Sequence, residues 1–206
     1  MEEKSKISPA ALFEEQCAQL AARGFAAKDC TVGLRAANIY GILTALPFVG
    51  AGIAAFVLAP SSMRNMLSFS ADFLLLAVLL ILSVPVHECL HALAWAAARG
   101  SAAGIRFGFN ARFLTPYCAC AYPMRRAQYF AGILAPFAVL GAGFCIAASL
   151  TGYWALCVLG AFNILSAGAD LLVSFRLAFA RGKYFLDHAE RCGFYAFSEK
   201  KRPPRS

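Results

Sequence analysis

Apolar residues in this chain gather into four long runs, at residues 36–59, 69–98, 127–150 and 153–175, with polar or basic stretches between them. Each run approaches or exceeds the ~20 apolar residues that a helix needs to cross a bilayer. Residues 1–35, ahead of the first run, mix acids with bases, which is not the pattern of a signal peptide. The pattern predicts an all-α membrane protein with about four transmembrane helices. It divides into an N-terminal segment at 1–35, a four-span membrane domain at 36–180 and a basic tail at 181–206.

Shorter patterns fill in the ends. Ser8-Pro9 followed by AALFEEQCAQLAARG predicts an amphipathic helix with Ser8 as its cap, Pro9 as its first residue and Gly24 as its stop. Its apolar stripe is Leu12, Phe13, Cys17, Leu20 and Ala21. That stripe suits the inner leaflet of a membrane and equally the protein's own surface. Pro60-Ser61-Ser62 predicts the turn after span one, and Tyr153-Trp154 the interfacial start of span four. The second run is long for a bilayer, and Asp72 near its beginning places that beginning above the membrane. Between spans two and three, GIRFGF alternates Ile105, Phe107 and Phe109 against Arg106 and Gly108, a period of two. With YCACAY at 117–122 it predicts a small β-hairpin beside the membrane.

Composition agrees with this picture. Apolar residues make up 60% of the chain and the mean hydropathy is +0.63, above the roughly 45–50% apolar content of soluble domains. The net charge of +8 raises the question of nucleic acid, but its distribution argues against it. Of 19 Lys and Arg, five precede the first span, five lie between the second and third, and eight follow from Arg176 onward; Arg64 alone is left for the other loops. That split follows the positive-inside rule for a multi-pass protein of the cytoplasmic membrane with both termini in the cytosol. The basic residues then set orientation and touch anionic lipid. No soluble basic module for nucleic acid is visible. Eight cysteines form no C-x-x-C pair. Cys17, Cys30, Cys118, Cys120 and Cys192 are expected in the cytosol as reduced thiols, and Cys89, Cys145 and Cys157 as small apolar fillers within spans.

Ionisable groups inside a span are costly and usually functional, so SVPVHECLHALAWAAARG at 83–100 stands out. His87 and His91 are four apart and share one helix face. This spacing brings two imidazoles to one tetrahedral zinc ion. Glu88 projects about 100° away, placed to reach water at the metal without ligating, so it is the candidate general base. The same groups could instead bind a transported ion.

A catalytic zinc takes a third protein ligand. His87 and His91 lie 12 and 8 residues before Arg99, roughly 18 and 12 Å from that end at the helical rise. Asp170, six residues before Arg176, lies roughly 9 Å from its own. Asp72 is at the wrong end of its span. Depth therefore selects Asp170, with His188 in the tail as the rival. Asn163, seven residues before Asp170, shares its helix face and is placed to contact substrate or orient a ligand.

HECLHALAW in a span, the later span with Asn163 and Asp170, and the strand-like insert resemble the site-2 protease class of intramembrane zinc metalloproteases. More closely, IRFGF, YFAGILAPF, the acid in SAGADLLVSF and DHAERCGFYAF make residues 70–197 similar to a bacterial family of zincin-type membrane peptidases. The resemblance implies zinc held by His87, His91 and Asp170, with Glu88 as the catalytic base, in an endopeptidase acting on membrane protein or peptide substrates. Asn163 is followed by no proline and Asp170 by Leu171, so the asparagine–proline–aspartate–glycine motif of site-2 proteases is absent, as is a PDZ-like domain. An edge strand at 104–109 is expected to capture an unwound substrate segment, with Arg106 and Phe107 in contact with it. The rival reading is a membrane transporter using the same His, Glu and Asp groups, although such proteins often carry paired repeats and this chain has none.

Overall fold

The computed structural model describes residues 8–60, 69–110, 115–188 and 191–200. Ser61, Ser62 and Arg64 of the expected outer turn lie outside the described residues.

The first helix, α1 (Pro9–Ala22), starts where its capping residue dictates: the Ser8 hydroxyl accepts from the Ala11 N–H at 3.2 Å. Beyond its end Gly24 takes φ 84°, a left-handed conformation that suits glycine. Leu12 and Leu20 are buried, and Phe13 and Cys17 pack with Leu20 against Phe25, Leu186 and Phe197, while Ala21 is exposed. The stripe lies on the protein's own sheet.

The apolar runs are helices. They are α2 (Leu34–Leu58), α3 (Phe69–Arg99) and a third continuous segment over Arg126–Thr151. The third comprises α4 (Arg126–Pro136), a π-helical stretch at Phe137–Ala142 and α5 (Gly143–Thr151). Pro136 stands immediately before the widened turns, and a proline in a helix removes an N–H and crowds the preceding turn. The fourth run is broken into α6 (Trp154–Ser166) and α7 (Gly168–Phe179), which meet at 52°. Among the described residues three helices are thus long and apolar enough to cross a membrane, and the bent pair makes a fourth span only if counted as one. Ile39, Leu43 and Val57 on α2 and Leu74, Ile81 and Leu93 on α3 are exposed, an apolar outer surface that water would disfavour and lipid would not.

Two glycine contacts set the helix positions. A Cβ on Gly41 of α2 would lie 2.9 Å from the Gly168 backbone, and one on Gly168 2.6 Å from the Gly41 carbonyl oxygen. Small residues there let α2 and the start of α7 touch backbone to backbone. A Cβ on Gly132 of α4 would lie 2.0 Å from the Trp95 ring, so α4 seats that indole of α3 directly on its backbone.

The expected hairpin is present: β2 (Ile105–Asn110) pairs antiparallel with β3 (Thr115–Cys120), in the register Ile105↔Cys120 to Asn110↔Thr115. A second sheet was not foreseen from the sequence. β1 (Phe25–Asp29), β4 (Tyr184–Asp187) and β5 (Phe194–Glu199) form it in the order β1-β5-β4. Residues read as a basic tail therefore fold back, and Met124 and Phe185 exchange two backbone hydrogen bonds of 2.8 Å. The sheet's apolar side joins Trp95, Tyr129, Phe185 and Phe194 in one buried cluster with α4 and α7.

Candidate metal centre

His87 and His91 lie one turn apart on α3, their ring centroids 4.9 Å apart. The helix passes through Pro85 without a break just before them. His91 Nδ1 is 2.9 Å from the Gly132 carbonyl oxygen. A carbonyl only accepts, so in the neutral ring Nδ1 carries the proton and Nε2 offers a lone pair. That Nε2 lies 3.2 Å from His87 Nε2 and 3.5 Å from Asp170 Oδ2, and His87 Nε2 lies 3.2 Å from the same oxygen. Three candidate ligand atoms thus converge on one point. A tetrahedral ion with bonds of about 2.0–2.1 Å holds its ligand atoms roughly 3.3–3.4 Å apart, and the three observed separations fit this. Among the described residues, His87, His91 and Asp170 form a group that could hold a metal ion.

Each member is placed by packing. Trp95 stacks on His91 at 5.4 Å and 20°, and its Nε1–H donates to the Tyr129 carbonyl at 3.3 Å. Asp170 occupies the first turn of α7, and the bend after Ser166 together with the Gly41–Gly168 contact carries it to the histidines. The side chains of His87, His91 and Asp170 are 11%, 6% and 20% exposed, so the aspartate keeps the most open side toward the adjoining cavity.

That cavity measures about 850 Å³ and is lined by the three residues, Glu88, Asn163 and Cys118, among others. Glu88 is half-buried and borders the cavity beside Cys118 of β3. Asn163 is buried and donates to the Leu159 carbonyl of its own helix at 2.8 Å. Arg106 and Phe107 are elsewhere: they line a neighbouring cavity of about 320 Å³ with Phe13 and Asp187. The hairpin strand beside α3 is chiefly β3, not β2. His188 borders the larger cavity but lies outside the three-residue group. Its ring sits between Phe13 at 4.8 Å and Tyr195 at 5.8 Å, and its Nδ1 accepts from the Arg191 N–H at 3.0 Å.

Sequence reasoning missed Asp187, Tyr129 and the Gly132 carbonyl. Asp187 borders both cavities and accepts from the Tyr129 hydroxyl at 2.8 Å and from the Cys120 N–H at 3.3 Å. Burial pushes its carboxyl up to about 7 in spite of those donors. An acid ending the apolar run Tyr184-Phe185-Leu186 was the available signal. Burial also raises the Cys118 thiol, and lifts that of Cys192 to about 12. Neither is a thiolate at neutral pH, the form needed for nucleophilic attack. All eight cysteines are free. At the far end of α3, Asp72 is fully buried and accepts from the Tyr153 hydroxyl and from Trp154 Nε1 at 3.3 Å.

No curated protein and no solved structure matches the chain. Residues 80–184, which are 105 of its 206 residues, match the model of a family described as "Putative zincin peptidase", and the chain belongs to that family.

Proposed function

We propose that this protein is an intramembrane, zinc-dependent endopeptidase of the site-2 protease type, acting on membrane-associated protein or peptide substrates. The observation that carries the reading is the meeting of His87 Nε2, His91 Nε2 and Asp170 Oδ2 beside Glu88 in one cavity. Zinc held there supplies Lewis acidity to a peptide carbonyl and makes nearby water a better nucleophile. Glu88, one residue from His87 and open to the cavity, takes a proton from the attacking water as the new C–O bond forms. It then delivers that proton to the amine as the C–N bond breaks. His91 keeps its lone pair on the metal side because Gly132 holds the opposite nitrogen. A transmembrane helix hides its amides, so the substrate enters unwound, and β3 borders the path it would take. The charge distribution supports a metal centre near the cytosolic face of the cytoplasmic membrane, with both termini on that side.

The test is Glu88→Gln, which keeps size and polarity but cannot take a proton. One zinc per chain and an intact fold are expected, with cleavage reduced at least about a hundredfold and uncut substrate retained. Cleavage at the wild-type rate by zinc-loaded Glu88→Gln would remove Glu88 as the general base and the mechanism built on it, and no cleavage by the zinc-loaded wild type would remove the peptidase reading.

A further inference from the structure

A second cavity, of about 320 Å³, adjoins the one that holds the candidate ligands, for Tyr117, Ala119 and Asp187 line both. Its floor is one face of the hairpin. Arg106 pairs with Ala119 and Gly108 with Tyr117 in the β2–β3 register, and paired residues project to the same side. Ala121, two residues beyond Ala119, lines the cavity as well. Gly108 lets the Tyr117 ring lie across the neighbouring strand, since a Cβ there would come within 2.3 Å of that ring. The short methyl groups of Ala119 and Ala121 leave a depression beside it. Phe107 adds a second ring, and Phe13 of α1 a third, which is held by the rings of His188 at 4.8 Å and Tyr195 at 5.2 Å. Among the described residues, five of the seven that line the cavity are thus apolar or aromatic, the others being Arg106 and Asp187.

We infer that this cavity is a selectivity pocket: it receives one large apolar side chain of the substrate, aromatic by preference, at a fixed spacing from the peptide bond that is cut. The inference rests on the peptidase proposed above. Continuity with the metal cavity names the occupant. An extended segment beside β3 sends alternate side chains to opposite faces, and at Tyr117 and Ala119, which both cavities share, one of them can turn from the first into the second. About 320 Å³ is at the small end of the roughly 300–1,000 Å³ of ligand pockets, room for one side chain and not for a length of chain. Rings pack edge to face on rings, so three of them favour a fourth. Phe13 and Asp187 lie outside residues 80–184, so selectivity is set partly by α1 and the tail, beyond the stretch matched to the family.

The experiment uses the full chain, purified in detergent and loaded with zinc, as wild type, Ala121→Leu, which fills the pocket, and Phe107→Ala, which removes a wall. Ala121 and Phe107 line the smaller cavity and not the larger one. The probes are two fluorescein-labelled peptides of alanine and serine, one with a single central phenylalanine and one with alanine in its place. Wild type is expected to cut the first at one fixed spacing from the phenylalanine, read by mass spectrometry, with kcat/KM about tenfold or more above the second. In Ala121→Leu that ratio should fall toward one while one zinc is retained, and Phe107→Ala should lower it by less. Equal kcat/KM for the two peptides in wild type, cuts at scattered spacings, or a ratio that neither variant changes would overturn the inference. Should Ala121→Leu fail to fold, an unchanged ratio in Phe107→Ala overturns it equally, since Phe107 is 59% exposed and its truncation spares the fold. Failure of the peptidase reading looks different: zinc-loaded wild type then cuts neither peptide. Fluorescence anisotropy with Glu88→Gln still decides the pocket in that case. Binding of the phenylalanine peptide about tenfold tighter than the alanine one, lost when Ala121→Leu is added, upholds it, and equal binding of the two overturns it.

Discussion

The identity of the third ligand is the sharpest point on which the proposed metal centre can be tested. Asp170→Ala deletes one of three atoms that lie 3.2–3.5 Å from one another. Structural zinc sites bind with about 10–16 kcal/mol over four ligands, or about 2.5–4 kcal/mol each. Loss of one ligand should therefore raise the zinc Kd by on the order of 10²–10³-fold, and His91→Ala should do the same. His188→Ala should change it little, because its Nδ1 is taken by the Arg191 N–H and its ring by Phe13 and Tyr195. The assay is competition with a chromophoric chelator in detergent, with thermal unfolding alongside. With free zinc at 100 times the wild-type Kd, binding stabilises the wild type by about 2.7 kcal/mol. A variant with a hundredfold weaker site gains only about 0.4 kcal/mol at that zinc concentration. Zinc should therefore raise the melting temperature of the wild type and of His188→Ala clearly, and that of Asp170→Ala barely. If His188→Ala abolishes zinc binding while Asp170→Ala keeps it, the convergence of these three atoms is not the metal site.

Three further outcomes follow from the packing around the centre. Gly132→Ala puts a Cβ 2.0 Å from the Trp95 ring, which is buried and stacked on His91. Overpacking of about 1–3 kcal/mol and a zinc affinity lowered about 10–100-fold are expected, and unchanged chelator competition would refute the coupling. Asp72→Ala leaves the Tyr153 hydroxyl and the Trp154 Nε1–H, both partly buried, without this acceptor. It should lower stability in detergent by about 1–3 kcal/mol while the zinc Kd moves less than about tenfold, since Asp72 lies roughly 22 Å along α3 from His87. Asp187 is raised from an ordinary 3.8 to about 7, so the fold favours its protonated form. Its contribution to stability is then full below about pH 4 and is lost as pH rises through 7. Between pH 4.5 and 7.5 the melting temperature of wild type should accordingly fall relative to that of Asp187→Asn, and parallel profiles would contradict the shift.

The long apolar helices were legible because hydropathy over about 20 residues is a strong signal, and α2 and α3 begin and end within a few residues of the runs that announce them. The histidine pair was legible because a four-residue spacing fixes a shared face whatever surrounds it. Asp170 could be singled out by depth alone, since α3 and the α6–α7 pair each advance by a known rise. The break at Ser166–Gly168 was hidden: Ser166 and Gly168 in NILSAGAD are tolerated in many straight apolar helices, and α7 leaves in this direction against Gly41 of another helix. The second sheet was hidden for a similar reason. β4 has four residues and β1 reads FAAKD, too short and too mixed for a period of two to emerge. Its partners lie about 170 residues apart in the register Phe25↔Glu199, a pairing that local pattern cannot contain. Asp187 was passed over because the search for acids was confined to the spans, and the tail returns to them only through that sheet.

The position of Asp170 follows from a register shared by two parallel paths. From Asp72 to His87 the chain advances 15 residues along α3; from Tyr153 to Asp170 it advances 17 along α6 and α7. At the helical rise these are about 22 and 25 Å. The first pair of ends is pinned where the Tyr153 hydroxyl meets Asp72, and the second where Asp170 meets His87. Two straight helices pinned at their outer ends would leave Asp170 about 3 Å too deep and without control of its facing. The 52° bend shortens the second path, and Gly168 lying against Gly41 fixes the direction in which α7 leaves it. A helix end at that point also points backbone N–H groups toward the first turn, where a carboxylate is favoured by the helix dipole. That is the charged form a divalent cation requires of its oxygen ligand. What brings the three candidate ligands together is thus a pair of glycines and a buried aspartate, none of which belongs to the histidine motif.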